Sequence, residues 1–405
     1  MNKKLIALAV AGACIAPEAI AQTANPVTLY GRAYATFESI EADAGSVPTV
    51  NPALTRRNRV SDQSSYLGVR GTEDLGGGLK AFFQLETGFK IDQNDTTFAA
   101  RNSGVGLQGG WGSVLLGRWD TPYKSALGAI DPWGDLTLGG IQAGMMGGGV
   151  NNVATTTQGD RRDQNVVQYW SPSWAGIAVR LSYSANEARS SSPCAGRPAG
   201  GTCNPLSQGG SISYTGGPVY IAYAYHELKD QPMNSLQLTV NTTGAITAIA
   251  FPVITPPKQT LNMIAGTFTF GPIKFGAGYE KVKRGSSGLA PGALVVTGFS
   301  DRKAYTGNIV WTFGNHQLIY SYQRGQDGGV RVQGTPTVAI NVTEPKCTVN
   351  TPGYQYNFSR RTFFNAQYTK IDNNATGTCN FGANQQTIGL GQDLKGISVG
   401  LRHVF

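Results

Sequence analysis

The residues able to do covalent chemistry are few in this chain and badly spaced for it. There are three histidines, His226, His316 and His403. A hydrolytic site needs one within reach of a Ser or Cys nucleophile and an orienting carboxylate. His403 alternates with apolar residues beside Phe405, His316 sits at the turn Phe313-Gly314-Asn315, and His226 has no evident Ser or Asp companion at a matching level. A phospholipase- or protease-like activity is therefore disfavoured. Zinc is disfavoured too, since no Cys-x-x-Cys pair is present. The run Gly104-Val105-Gly106-Leu107-Gln108-Gly109 satisfies GxGxxG, but it alternates like a strand and no helix follows it. The chemistry left to this sequence is electrostatic.

That chemistry lies on one face of repeated two-residue alternations. In 27–37, Val27, Leu29, Ala33, Ala35 and Phe37 oppose Thr28, Tyr30, Arg32, Tyr34 and Thr36. In 79–89, Ala81, Phe83 and Leu85 oppose Lys80, Gln84 and Glu86; in 177–183, Ile177, Val179 and Leu181 oppose Arg180 and Ser182. In 397–405, Ile397, Val399 and Leu401 oppose Ser398, Gly400 and Arg402. The polar faces carry too many charges for a packed interior. Facing lipid, each Arg or Lys would cost about 2–4 kcal/mol at mid-bilayer. They suit a water-filled lumen. The same parity nominates Arg70 and Arg162, whereas Arg118 shares the parity of Val114 and Leu116.

Composition agrees. The 405 residues include 54 glycines, roughly twice the usual share, and only 14% are charged. No stretch of about 18 apolar residues exists, so helices cannot carry the chain through a membrane. Residues 1–21 read as a cleaved export signal: Lys3 and Lys4, an apolar core over 5–16, then Ala19-Ile20-Ala21. Its loss removes Lys3, Lys4 and Glu18, leaving 31 basic and 23 acidic residues and a charge of +8. Those charges are spread over alternating strands rather than gathered in a patch, which excludes nucleic acid as a partner. Four cysteines remain, an even number suited to an oxidising compartment. Cys194 with Cys203 is the most economical of three connectivities.

From Val27 onward, tight turns (Glu73–Gly78, Gly109–Gly112, Gly216–Pro218, Gly271–Pro272) alternate with long polar connectors near 39–59, 122–161, 188–208, 230–260, 285–300, 326–352 and 372–391. Short turns at one end and long loops at the other are the signature of an up-and-down barrel. The count implies one all-β domain over 22–405, a 16-stranded antiparallel transmembrane barrel with short periplasmic turns and long extracellular loops. Trp111, Trp119, Tyr169, Trp170, Trp174, Tyr220, Phe270 and Phe313 near strand ends would form its interfacial girdles.

The runs VTLYG (27–31), LGVRGTEDLGGGLKAFFQLETGF (67–89), LLGRWDTP (115–122), QYWSPSWAG (168–176) and GLRHVF (400–405) together resemble the general porins of Gram-negative bacteria, in their Neisseria and Burkholderia branch. The resemblance implies an outer-membrane homotrimer and a third extracellular loop folded into the lumen. It also implies contact with outer-membrane lipid and lipopolysaccharide, delivery by the barrel assembly machinery, and no cofactor. Phe405 resembles the family's assembly signal. By position, Asp131 and Asp135 match the loop's acidic residues, Arg162 the arginine after the loop, and Glu86 a lumen carboxylate that orients the facing guanidiniums. The constriction is therefore expected between Glu86, Asp131 and Asp135 and a basic wall of Arg32, Arg70, Arg162 and Arg180, with Lys80 nearer a strand start. Three departures thin the family's arginines. Tyr66 stands where relatives often have arginine, Tyr34 where the first strand usually carries an acid, and Arg101-Asn102 where two arginines often stand. Counting from Val105 and Leu107 turns Asn102 to the lumen and Arg101 away.

The expected function is passive diffusion of small hydrophilic solutes and ions through a mildly anion-selective channel. The alternative is a substrate-specific porin for phosphate, a dicarboxylate or an amino acid.

Overall fold

The computed structural model describes residues 27–405 apart from 47–51, 94–95, 135–136, 143–145, 148–158, 185–186, 188, 193, 195–201, 232, 235–236, 241–245, 251–252, 256–257, 285–294, 334–343, 383–385 and 387. The expected export signal lies outside these. Sixteen antiparallel strands form the barrel. They are β1 (Val27–Ala42), β2 (Leu54–Asp62 continued by Tyr66–Gly76), β3 (Leu79–Phe89), β4 (Ser103–Gly109), β5 (Gly112–Asp120), β6 (Arg162–Trp170), β7 (Ile177–Ser184) and β8 (Leu206–Gly216). The second half comprises β9 (Val219–Lys229), β10 (Lys258–Phe270), β11 (Ile273–Arg284), β12 (Val295–Phe313), β13 (His316–Gln333), β14 (Lys346–Asn357), β15 (Thr362–Asn373) and β16 (Leu394–Val404). Each strand pairs with the next, and β16 closes on β1 from Arg32↔Val404 to Ala42↔Leu394. The ring leaves no sheet edge for lipid to solvate, the condition for spanning hydrocarbon with strands.

The alternation sorts as the sequence implies. Val27, Leu29, Phe37, Ile397 and Leu401 are among the exposed apolar side chains on the outer wall, and Tyr34, Glu38, Gln367 and Ser398 are buried inside. The girdle expectation needs correction at three residues. Trp170 shares the inward parity of Gln168 and lies beneath Arg180, Trp119 packs on Trp170 at 5.4 Å, and Tyr220 packs against the buried interior. They point inward, whereas Trp111, Trp174, Phe270 and Phe313 stay exposed.

Two strands run past their expected ends. β12 and β13 pair up to Val295↔Gln333, within spans that read as loops. Beyond the bilayer a ribbon needs only backbone pairing, so no apolar alternation marks it. The connector 230–260 likewise carries short strands, of which Gln237–Val240 pairs with β12. In β2 the ladder breaks at 63–65, where Ser64 has φ +59°. Arg32 braces this break, donating to the carbonyls of Ser64 at 2.6 Å and Gln63 at 3.3 Å.

Phe405 exchanges backbone hydrogen bonds with Gly31 at 3.1 Å, and its ring lies where a Gly31 Cβ would project, 2.5 Å from such an atom. The C-terminal ring therefore seats on the first strand as the barrel closes, far from the lumen. Phe405→Ala should lower the yield of heat-modifiable, membrane-assembled barrel several-fold while leaving single-channel conductance of the assembled fraction unchanged. Equal yields on semi-native gels would refute it.

Candidate functional site

The described residues of the connector 121–161 fold into the lumen. Thr121 caps the short helix α1 (Pro122–Gly128), its hydroxyl accepting from Lys124 N at 3.1 Å, with Pro122 at the first helical position. Tyr123 of α1 donates to Glu280 Oε2 at 2.6 Å, and the N–H of Gly147, on the loop's returning arm, donates to the same oxygen at 2.7 Å. The other Glu280 oxygen pairs with Arg302 Nη1 at 3.2 Å, both side chains fully buried. Burial, and then the Glu280 charge, pushes the Tyr123 hydroxyl well above its ordinary range. One carboxylate thus holds both arms of the loop.

Small residues on the wall make room for the loop. Ala222, Ala224 and Ala265 join Leu127, Ile130 and Met146 in the apolar core. A Cβ on Gly278 would lie 2.9 Å from Ile130 and 3.1 Å from Met146; one on Gly353 would lie 2.5 Å from Trp133. Asn308 donates to Ile130 O at 3.0 Å, Trp133 Nε1 to Ser321 Oγ at 2.9 Å, Gly139 N to Gln367 at 3.1 Å, and Gln323 to Gly139 O at 3.0 Å. Leu138 reaches Gly396 and Ile40, where Phe381 of the last loop packs. Gly382 N donates to Leu138 O at 3.1 Å, and a disulfide ties Cys379 beside it to Cys347 on β14. A second disulfide joins Cys194 to Cys203. The inserted loop thus lies along the inner wall from α1's contacts on β7–β10 round to β16.

These contacts cover β1 only at Ile40 and leave open its Tyr30–Arg32 level and the neighbouring wall toward β6, where the charges gather. Glu86 accepts from Tyr30 OH at 3.2 Å and pairs with Arg101 Nε at 2.5 Å. Arg32 and Arg101 both stack on Tyr66, at 5.1 and 4.8 Å, and Arg70 on Tyr30 at 4.9 Å. Asn102 donates to Asp120 at 2.8 Å and accepts from Arg162 at 3.0 Å, while Arg162 also pairs with Asp120 at 3.0 Å. Lys124 pairs with Asp160 at 2.6 Å at the root of the loop. Arg402, stacked on Phe363 at 5.0 Å, lies 3.5 Å from where a Gly134 Cβ would be, bringing the loop against the far edge of this wall.

The nominated residues divide accordingly. Arg32, Arg70, Arg162, Glu86, Tyr66 and Asn102 come together. Lys80 and Arg180 do not: Lys80 stands opposite Asp74 in the ladder beside the turn Gly76-Gly77-Gly78, and Arg180 stands opposite Trp170 beside the 171–176 turn. Both stand at the short-turn mouth, Lys80 about 20 Å of strand from the Glu86 level and Arg180 about 26 Å from the Arg162 level at roughly 3.3 Å per residue. Asp131 serves its own loop: its oxygens accept from the N–H groups of Trp133, Ile141 and Gln142 at 3.0–3.2 Å and pin the loop's turn. Asp135 lies outside the described residues. Arg101 overturns its expected direction, because residues 101–102 are a bend rather than strand, so parity counted back from Val105 does not reach them. Asp120, Lys124, Asp160 and Arg402 escaped nomination; Arg402 carried a visible signal, since its parity already placed it in the lumen.

His226 needs correction too. Ser207 Oγ donates to Asp163 at 2.5 Å and lies 3.0 Å from His226 Nε2, all three buried. With the only serine proton on Asp163, the imidazole must donate. A nucleophilic triad needs the reverse, an imidazole that accepts the serine proton. The cluster, joined by Arg161 at 2.5 Å from Asp163, fastens the loop's return to β6.

A family model described as Gram-negative porin matches residues 6–376. The chain belongs to this family. The major outer membrane protein P.IB of Neisseria gonorrhoeae is 33% identical over 186 residues, 45% of this chain and 48% of that protein, so the chain spans about half the length of the P.IB proteins it matches. An outer membrane porin protein of Bordetella pertussis is 27% identical over 363 residues, 86% of this chain and 84% of its own. Among solved structures, an anion-selective porin from Comamonas acidovorans superposes with TM-score 0.69 at 21% identity, covering 94% of this chain and all of that one. OmpT of Vibrio cholerae does so with TM-score 0.65 at 15% identity, covering 96% of this chain and all of that one. Both show the barrel.

In this porin, removing one partner of a buried ion pair leaves an uncompensated charge, at about 3–5 kcal/mol. Glu280→Leu should lower the heat-unfolding midpoint and make single-channel current noisier, because both loop arms lose their acceptor. Adding Arg302→Met should recover part of the midpoint and none of the quiet current. Quiet current in the single variant would disprove the tether.

Proposed function

We propose that the chain, after removal of residues 1–21, works as a trimeric outer-membrane porin through which small hydrophilic solutes and ions diffuse, with a mild preference for anions. The observation that supports this reading is the asymmetry of the lumen. The inserted loop is packed on one side, and the opposite side presents a charged wall along the remaining passage. Once the pairs Arg302–Glu280 and Arg161–Asp163 are set against each other, the charges of this wall and the loop root, Arg32, Arg70, Arg101, Lys124, Arg162 and Arg402, outnumber Glu86, Asp120, Asp131 and Asp160. Opposed charges across a low-dielectric constriction orient dipolar solutes, and the net excess raises local anion concentration. The bias is mild because Glu86 and Asp120 each neutralise an arginine directly. The outer face of β4–β6, where Arg118 donates to Ala100 O at 2.7 Å next to exposed Leu116, is our choice for the subunit contact.

Planar-bilayer reversal potentials test the reading. Chloride should be favoured over potassium at 0.1 M, and the ratio should fall toward one at 1 M, where the Debye length shrinks from about 10 Å to about 3 Å. Arg162→Glu should move the reversal potential toward cation preference by placing a second carboxylate beside Asp120, and Asp135→Asn should strengthen the anion preference. Absence of channel steps would refute the porin reading; potassium preference at low salt would refute its selectivity.

A further inference from the structure

The open wall is built from guanidiniums laid on aromatic rings. Arg70 covers Tyr30, Arg101 and Arg32 both approach Tyr66, and the two tyrosines meet edge to face at 6.1 Å. Glu86 fixes the arrangement by accepting from Tyr30 and pairing with Arg101. The motif recurs at Arg180 over Trp170 and Arg402 over Phe363. A guanidinium donates only around its edge, and it is more weakly hydrated than an ammonium. A ring on one face removes what water that face held; Arg32 and Arg101 spend edge donors on the Ser64 and Gln63 carbonyls and on Glu86, and the exposed Arg70, laid on Tyr30, offers its edge to the passage. Such a group discriminates by the shape of the anion. A planar carboxylate presents two oxygens to the fork, and an aromatic one adds a ring that can lie on a neighbouring guanidinium or tyrosine. A carboxylate on a saturated ring meets the fork equally well but has no flat face to lay on a guanidinium or tyrosine, so it gains the field and the fork without the stacking.

We propose that Tyr30 and Tyr66 are specificity-determining residues which, with the arginines stacked on them, make the channel pass planar aromatic carboxylates in preference to non-planar carboxylates of the same charge and similar size. The inference rests on the reading of the open wall as the passage, and it concerns choice among anions rather than anion against cation. The probes are benzoate and cyclohexanecarboxylate, as potassium salts on opposite sides of a bilayer holding the full mature barrel. Benzoate should be favoured about two- to fivefold, the weight of one cation–π contact at an exposed site. Tyr66→Leu should bring the ratio close to one, and Tyr66→Phe should keep it. If Tyr66→Leu fails to assemble, Arg70→Lys carries the same test, since it keeps the charge and loses the planar face. Equal permeability in the unaltered channel would overturn the proposal, as would a preference that survives both Tyr66→Leu and Arg70→Lys. The chloride-to-potassium ratio is read in the same membranes. A potassium-preferring channel that still sorts benzoate from cyclohexanecarboxylate would refute the selectivity reading and support this one.

Discussion

In hydrocarbon an unpaired backbone N–H or C=O costs several kcal/mol, and a sheet escapes that cost only by closing. Pairing of β16 with β1 from Arg32↔Val404 to Ala42↔Leu394 is therefore the constraint on which the rest of this structure hangs. Closure forces every strand to present one face to lipid and the other to an enclosed space. The outer face must then be apolar, and charge can survive only inside. Everything functional in the molecule is a consequence of having an inside that lipid cannot reach and water can.

That inside is not uniform. From β7 round to β16 the lumen face carries small or apolar residues such as Ala222, Ala224, Ala265, Gly278 and Gly353, and the third loop fills the space they leave. The loop could not lie there on apolar contacts alone, because its backbone carries polar groups into a partly dry environment. Glu280, Asn308, Ser321, Gln323 and Gln367 meet those groups, and Arg302 balances the buried carboxylate. A disulfide then holds the last loop over the third. Half of the barrel is thus a packed core, and the passage is what remains.

On the open half, charges are held by one another. Glu86 and Asp120 each bind an arginine, and Tyr30, Tyr66 and Phe363 lie beneath guanidiniums. Pairing keeps long side chains from collapsing across the opening and costs selectivity, since a neutralised guanidinium attracts an ion weakly. The field in the passage is the small residue of many compensated charges, which is why single substitutions there should move it.

Period-two alternation determined much of this from sequence alone: a barrel, its strand count, and the inward direction of Arg32, Arg70, Glu86 and Arg402, because parity is local and lipid punishes error. It could not carry through a bend, so Arg101 was misdirected, and it placed Trp119, Trp170 and Tyr220 by their nearness to strand ends rather than by face. Depth along the barrel was equally hidden, and Lys80 and Arg180 share the parity of the constriction residues while standing at the other mouth. Contacts between distant segments were decided by the tertiary structure. Asp163, Ser207 and His226 meet only because three strands align in register. Asp131 serves its own loop because the loop's backbone N–H groups, once folded inward, have to be satisfied where water is scarce.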